Sequence, residues 1–177
     1  MQAAILLFDR FTALDAVTPH AALTSAGIDV TFIGETIGPV RGDTRSIELT
    51  ADAELGEVPA PDIVVIPGGA GIQRHLVNGT VHKWLRSAEP TASAVLAVGI
   101  GTLVPATAGL LAGRRAAASE HTDALLRRHR AVPTRAATVI DGKYGTAVDA
   151  DAAADLVRNV VTQLRTPHRS TDPKGDL

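Results

Sequence analysis

Wholly apolar runs alternate along this chain with stretches in which apolar residues return every three or four positions, the pattern of buried strands interleaved with helices. Residues 3–8, Ala-Ala-Ile-Leu-Leu-Phe, read as a buried strand, with a turn over residues 9–12. Leu14, Val17, Ala21 and Leu23 then mark a helical stripe that ends at Gly27, a C-cap candidate. Residues 28–33 form a second strand. Between residues 38 and 49 a Gly-Pro pair and Arg41-Gly42-Asp43 punctuate short edge strands, the latter triplet read as a turn and not as an adhesion signal. Residues 62–67, Asp-Ile-Val-Val-Ile-Pro, are β-branched and apolar on both faces, as a central parallel strand requires. Beyond Pro67-Gly68-Gly69-Ala70-Gly71, short helical segments carry Leu76, Val81, Trp84 and Leu85 around Asn78-Gly79.

The chain is organised around residues 94–105, where an apolar strand climbs into Gly99-Ile100-Gly101-Thr102 and passes directly into a helix predicted over residues 103–111. Such a strand-to-helix elbow presents a nucleophile in many α/β enzymes. Here the residue at the bend is Gly99, which has no side chain. A short strand at 115–118, a helix at 123–128 and a hairpin pair at 137–140 and 144–148 follow, and an Ala/Val/Leu-rich helix over 152–164 closes the fold. The reading is one domain over residues 1–165 and a polar tail over 166–177, expected to be mobile. Strand-helix alternation makes the fold α/β with a mostly parallel sheet. Two glycine-rich turns then fall at its carboxyl edge, where ligands of open α/β folds bind.

Composition changes this picture in two places. The 177 residues carry 17 basic and 19 acidic side chains, a net charge of −2 that offers no electrostatic footprint for nucleic acid. The basic run Arg127, Arg128, His129, Arg130 is read as a solvated helix face. Cysteine is absent, which excludes disulfides, thiolate catalysis and zinc–thiolate sites. No apolar run approaches a membrane span of about 18 residues, and the N-terminus lacks a signal-peptide pattern, so a cytoplasmic location is expected. No metal-ligand spacing of the His-Glu-x-x-His type joins His20, His75, His82 or His121.

Three stretches in order carry a resemblance. Leu14-Asp15 with Thr18-Pro19-His20, then Ile66-Pro67-Gly68-Gly69, then Val98-Gly99-Ile100-Gly101-Thr102 with residues 108–116 (Ala-Gly-Leu-Leu-Ala-Gly-Arg-Arg-Ala) resemble the opening, the "PGG" turn and the "VCTGS…AGLL" segment of the ThiJ/PfpI superfamily, in its isonitrile hydratase-like branch. The likeness runs from about residue 3 to residue 164 and implies a three-layer sandwich, flavodoxin-like and class I amidotransferase-like. It also implies a homodimer whose partner loop borders the pocket. Carried over residue by residue, Asp15 matches the acid that moves protons, while Gly99 stands where the family has its attacking cysteine and Ile100 where the branch has threonine. A family histidine falls on Ser119. The covalent route through a thioimidate is therefore closed to this chain. Where the branch has a glycine-rich loop before its last helix, Asp149 and Asp151 appear.

Each candidate has two readings. Asp15 is a general acid or base, or an N-cap of its helix; as a catalytic group it would be walled by Leu14 and Val17. Gly69 and Gly101 present backbone N–H groups to a bound oxygen, or are glycines because their turns need positive φ; Ala70 lies beside the first. At Gly99 the missing side chain enlarges the pocket for a bulkier substrate, or the site is that of a pseudoenzyme; Ile100 makes the neighbouring position apolar. Asp149 and Asp151 add a second acid/base or cation-binding element, or cap the final helix. His20 lies beside the acid motif and His121 near the matched histidine position, with helix packing or surface exposure as the alternative. Packing in a core or interface accounts for Trp84 and Tyr144. The functional reading is a small-molecule enzyme without cofactor or metal, using Asp15 for hydration, dehydration, isomerisation or cyclisation. A silent ligand-binding protein and a partner-regulating pseudoenzyme are the alternatives.

Overall fold

The computed structural model describes residues 1–77 and 79–166. It begins with β1 (Gln2–Leu6), turns into α1 (Ala13–Ser25), and returns as β2 (Asp29–Gly34) beside β1. Gly27 follows the C-cap of α1 with φ of 72°, the left-handed conformation that ends helices and that glycine adopts without a Cβ penalty. Next come β3 (Gly38–Arg41) and β4 (Glu48–Ala51), an antiparallel pair separate from the main sheet, and then the short β5 (Ala53–Glu54) and β6 (Ile63–Ile66). Arg41 pairs with Glu48 across β3 and β4, leaving Gly42 and Asp43 in the turn between them, as expected for the Arg-Gly-Asp triplet.

After β6 come a 3-10 segment (Ala70–His75), α2 (Thr80–Ala88), β7 (Ala94–Val98), a second 3-10 segment (Gly99–Thr102) and α3 (Leu103–Thr107). The C-terminal part holds β8 (Arg115–Ala117), α4 (Asp123–Arg128), β9 (Val132–Thr134), β10 (Thr138–Asp141), β11 (Tyr144–Ala147) and α5 (Ala150–Arg165). The main sheet has seven strands in the order β10-β11-β7-β6-β1-β2-β5, all pairs parallel except β10 with β11. Its central strands β6 and β7 are buried at every position, because helices cover both faces. The fold is thus the expected three-layer α/β sandwich, with a small parallel pair of β8 and β9 at its side.

Strand order reverses between β1 and β6: the chain runs outward from β1 through β2 and β5, then returns to β6 on the opposite side. At such a switch point the loops after neighbouring strands diverge and leave a crevice at the carboxyl edge. The turn into α1, the Gly68-Gly69 turn and the elbow after β7 all open there.

Several elements depart from their predicted form. On α1 the buried side is Ala13, Asp15, Ala16, Pro19 and Leu23, whereas Leu14 and Val17 are 62% and 39% exposed. Around Asp15 the inner face carries the small residues Ala13 and Ala16, so Leu14 and Val17 fall on the outer face and do not wall Asp15. Behind the elbow the helix ends at Thr107 and not at residue 111, because Gly109 takes φ of 85° and closes a turn on the Ala106 carbonyl. The last helix starts at Ala150, two residues earlier than its apolar pattern implied, while β11 over Tyr144–Ala147 matches the second arm of the predicted hairpin. Trp84 and Tyr144 are buried as expected. The Trp84 indole donates to the Val58 carbonyl, and the Tyr144 hydroxyl donates to Glu89, which also holds Lys143. Arg127 of the basic run pairs with Asp123 one turn earlier on an exposed face. No described helix is long and apolar enough to cross a membrane. The expected mobile tail lies, beyond Thr166, outside the described residues.

Candidate active site

Thr12 is the N-cap of α1, and Asp15 occupies the third helical position. In a capping box that position reaches back to the cap residue's N–H. Here it reaches across the crevice instead: the Gly68 N–H donates to Asp15 Oδ2 at 3.0 Å, while the Thr12 N–H donates to the Gly68 carbonyl at 2.8 Å. The start of α1 therefore grips the Gly68 residue by both of its backbone groups. This corrects the N-cap reading of Asp15. Thr12 is also free of capping duty through its side chain, because its hydroxyl donates to Asp43 Oδ2 at 2.9 Å.

Asp15 is only 7% exposed. Burial, followed by the nearby carboxylates Asp43 and Asp149, pushes its pKa up to about 6 against the lowering effect of the Gly68 N–H. No cation contributes to that balance. Oδ1 makes no hydrogen bond among the described residues and is not fully buried, so one lone-pair-bearing oxygen of a nearly buried carboxyl stays open to a ligand. A carboxyl in this setting changes protonation near neutral pH and can both take and give a proton.

Gly99 faces it. A Cβ built on Gly99 would stand 3.3 Å from Asp15 Oδ2 and 3.6 Å from the Val148 carbonyl oxygen. The residue holds φ of 56°, so the sharp elbow geometry persists with no side chain to present. It is half-buried, and Ile100 beside it packs against the core. A Cβ on Gly68 would come within 2.7 Å of Asp15 Oδ2 and 3.1 Å of Ile100. A side chain at Gly68 would therefore push the Asp15 carboxyl aside, which makes Gly68 a residue of the site beside the predicted Gly69; the doubled glycine after a central strand was the available signal.

Gly69 and Gly101 have sufficient structural reasons for being glycine. A Cβ on Gly69, at φ of 140°, would lie 2.4 Å from the Arg10 carbonyl oxygen, and one on Gly101 would lie 2.5 Å from that of Pro67. These close approaches lock the Gly68-Gly69 turn against the residue 10–12 turn and the elbow against the end of β6. Ala70 is exposed at the start of its 3-10 segment.

The remaining candidates are distributed unevenly. Asp149 caps α5, its carboxylate accepting from the Ala152 N–H at 2.9 Å, and it is close enough to raise the pKa of Asp15. Asp151 is exposed in the first turn of α5, where a carboxylate complements the helix dipole. The proposed capping residue is therefore Asp149 and not Asp151. His20 stacks on Phe32 of β2, with ring centroids 5.0 Å apart, and takes no part in the Asp15 cluster. The Ser119 N–H and hydroxyl engage the Thr122 hydroxyl at the entrance to α4. His121 is exposed in that same entrance turn. His82 is buried in α2 with Nε2 2.9 Å from the Thr107 hydroxyl. Asp43 was not anticipated; its role depends on the turn between β3 and β4 folding over residues 11–12, a long-range contact without local sequence signal. Among the described residues no three His, Cys, Asp or Glu side chains converge as a metal site. A cavity of about 450 Å³ nearby is lined by neither Asp15 nor Gly99, but by residues around Phe8, Gly34 and His75.

The DJ-1/PfpI family profile matches residues 1–163. Isonitrile hydratase from Pseudomonas putida is 28% identical over 165 residues, 93% of this chain and 72% of that protein. A ThiJ/PfpI family protein from Pseudomonas syringae superposes with a TM-score of 0.86 at 25% identity, over 92% of this chain and 68% of its own. A two-domain protein from Anabaena variabilis, with DJ-1/ThiJ/PfpI-like and ferritin-like domains, has a TM-score of 0.85 at 24% identity; this chain spans half of its length.

Proposed function

The chain belongs to the DJ-1/PfpI family, and from that premise we propose that it is a cysteine-independent enzyme related to isonitrile hydratases, in which Asp15 performs proton transfer on a small organic molecule. The observation that carries this reading is the Asp15 carboxyl, buried, held by the Gly68 N–H, pushed up to about 6 and facing the emptied elbow at Gly99. With no thiol, a covalent adduct on the elbow is not available. Acid–base addition and elimination need only the carboxyl. In a hydration, the Asp15 carboxylate takes a proton from water as the water oxygen bonds to an electrophilic carbon, and the protonated carboxyl returns that proton to the adjacent atom; water is the only species consumed. Dehydration is the reverse, and isomerisation or cyclisation uses the same two proton movements within one molecule.

The carboxylates of Asp43 and Asp149 favour a substrate that is neutral or gains positive charge as it reacts. Gly99 leaves room at the bend for a larger body than a side chain there would allow. Incubating the purified protein with fractionated small-molecule extract, and following loss, gain or rearrangement of a compound by mass spectrometry, tests the reading. Conversion that disappears in Asp15→Asn supports it.

The absent nucleophile at Gly99 favours a second reading, a silent binding protein of the same fold. Saturable calorimetric binding of an extract component without conversion would support that alternative. Pairing with a second copy is also part of our reading, supported by the apolar groove between α1 and α5 with Val17 exposed on its edge. Sedimentation giving a monomer at micromolar concentration would remove it.

A further inference from the structure

Beside the elbow, and separate from it, lies a cavity of about 450 Å³ at the carboxyl ends of β1 and β2, roofed by β3 and by the 3-10 segment after β6. A lobe of about 160 Å³ shares Glu35, Arg74 and His75 with it. The volume lies in the range of small-molecule sites. Its walls are built on backbone close approaches: a Cβ on Gly71 would stand 1.8 Å from the Asp9 carbonyl oxygen, and one on Gly34 would stand 3.0 Å from that of Thr36. The floor is apolar, with Leu7 and Phe8 buried beneath it and Val40 alongside.

The charged groups on this cavity are not all spent on one another. Arg41 is paired with Glu48. Arg74 and Glu35 have no ion-pair or hydrogen-bond partner among the described residues, and each acts electrostatically on His75. The His75 ring packs on Phe8 with centroids 5.1 Å apart, and its burial lowers its pKa from the usual histidine value, which disfavours its charged form. Asp9 lines the cavity as well.

We propose that this cavity is a second small-molecule site, which takes a zwitterion with a compact apolar body, the chemistry of a free α-amino acid. A carboxylate ligand without an ammonium would meet Arg74 but also the unpaired Glu35 and Asp9. An amine without a carboxylate would leave Arg74 facing a cation. A zwitterion answers both charges, and its side chain lies on the Leu7, Phe8 and Val40 floor.

L-Leucine is the probe, with 4-methylpentanoate and isopentylamine as its single-charge analogues, each titrated calorimetrically into wild type, Arg74→Gln, Glu35→Gln and Asp15→Asn. Both cavity substitutions sit at exposed positions, and circular dichroism verifies that the variants fold. The proposal expects saturable 1:1 binding of L-leucine, weakened about tenfold or more by either cavity substitution and by removal of either ligand charge, and unchanged in Asp15→Asn. No saturable binding of L-leucine at millimolar concentration, equal binding of 4-methylpentanoate, or binding lost in Asp15→Asn but kept in Arg74→Gln would each overturn it.

Discussion

Asp15 and Gly68 are bound to each other across the switch point of the sheet: the Gly68 N–H donates to Asp15 Oδ2 at 3.0 Å, and the Gly68 carbonyl is taken by Thr12, three residues before Asp15. A carboxyl that would otherwise cap its own helix is thereby turned into the crevice. The position of the acid depends on a glycine that is distant in sequence.

Gly68→Ala should act through that dependence. Its Cβ would fall 2.7 Å from Asp15 Oδ2, and the carboxyl end is the part able to yield. Overpacking of this kind costs about 1–3 kcal/mol, and a displacement of about 1 Å at a reacting group costs roughly 100-fold in rate. Thermal unfolding and turnover measured together should show a folded protein with turnover lost far beyond its loss of stability.

The raised pKa of Asp15 fixes the sign of a stability effect. Its folded-state value of about 6 exceeds the ordinary 3.8, so the folded protein holds the proton more tightly and loses stability as pH rises from about 4 to about 6. Above that window the cost is constant, about 3 kcal/mol at most. Asp15→Asn removes the ionisation while keeping an oxygen to accept from Gly68. Urea unfolding should find the variant more stable than wild type at pH 7.5, with the difference vanishing below pH 4.

At the elbow, Gly99→Cys is expected to fold with a penalty of about 1–2 kcal/mol, the cost of a side chain in the left-handed region. The new thiol would stand beside Asp15, and ionised Asp15 disfavours the thiolate. Iodoacetamide labelling of Gly99→Cys should therefore be slower than in the Gly99→Cys, Asp15→Asn double variant at the same pH. Equal rates would show that the two positions do not face each other.

Asp149→Ala removes the cap of α5 and one of the carboxylates that hold Asp15 up. The expected stability loss is about 0.5–2 kcal/mol. The pKa of Asp15, followed by NMR of its carboxyl carbon, should fall in this variant. An unchanged titration would mean that Asp149 acts only as a cap.

Much of the fold was legible because it is written in local patterns. Residues 63–66 and 94–98 are apolar on both faces and became the two fully buried central strands, and Asp123 to Arg128 formed the helix that its pattern predicted. The inner face of α1 was legible only at Leu23, since the rest of its buried stripe is Ala13, Asp15, Ala16 and Pro19 while Leu14 and Val17 carry the stronger apolar signal outward. A charged residue on the buried face of a helix is the local inconsistency that marks a site. Asp15 and Gly99 were found through their places in motifs. Gly68 lay within the Pro-Gly-Gly motif, but its hold on Asp15 was not readable there, and Asp43 had no motif at all, because their parts rest on contacts 53 and 31 residues apart in the chain.

The proton-transfer role of Asp15 is open to direct measurement. Once a converted compound has been isolated from extract, kcat/KM for that compound is to be measured from pH 4.5 to 8.5 for wild type and Asp15→Asn, with binding measured alongside. Proton transfer by Asp15 requires an inflection near pH 6 in wild type, and in Asp15→Asn a loss of turnover at every pH with folding and binding retained. Wild-type turnover in Asp15→Asn, with the same pH profile, would contradict it.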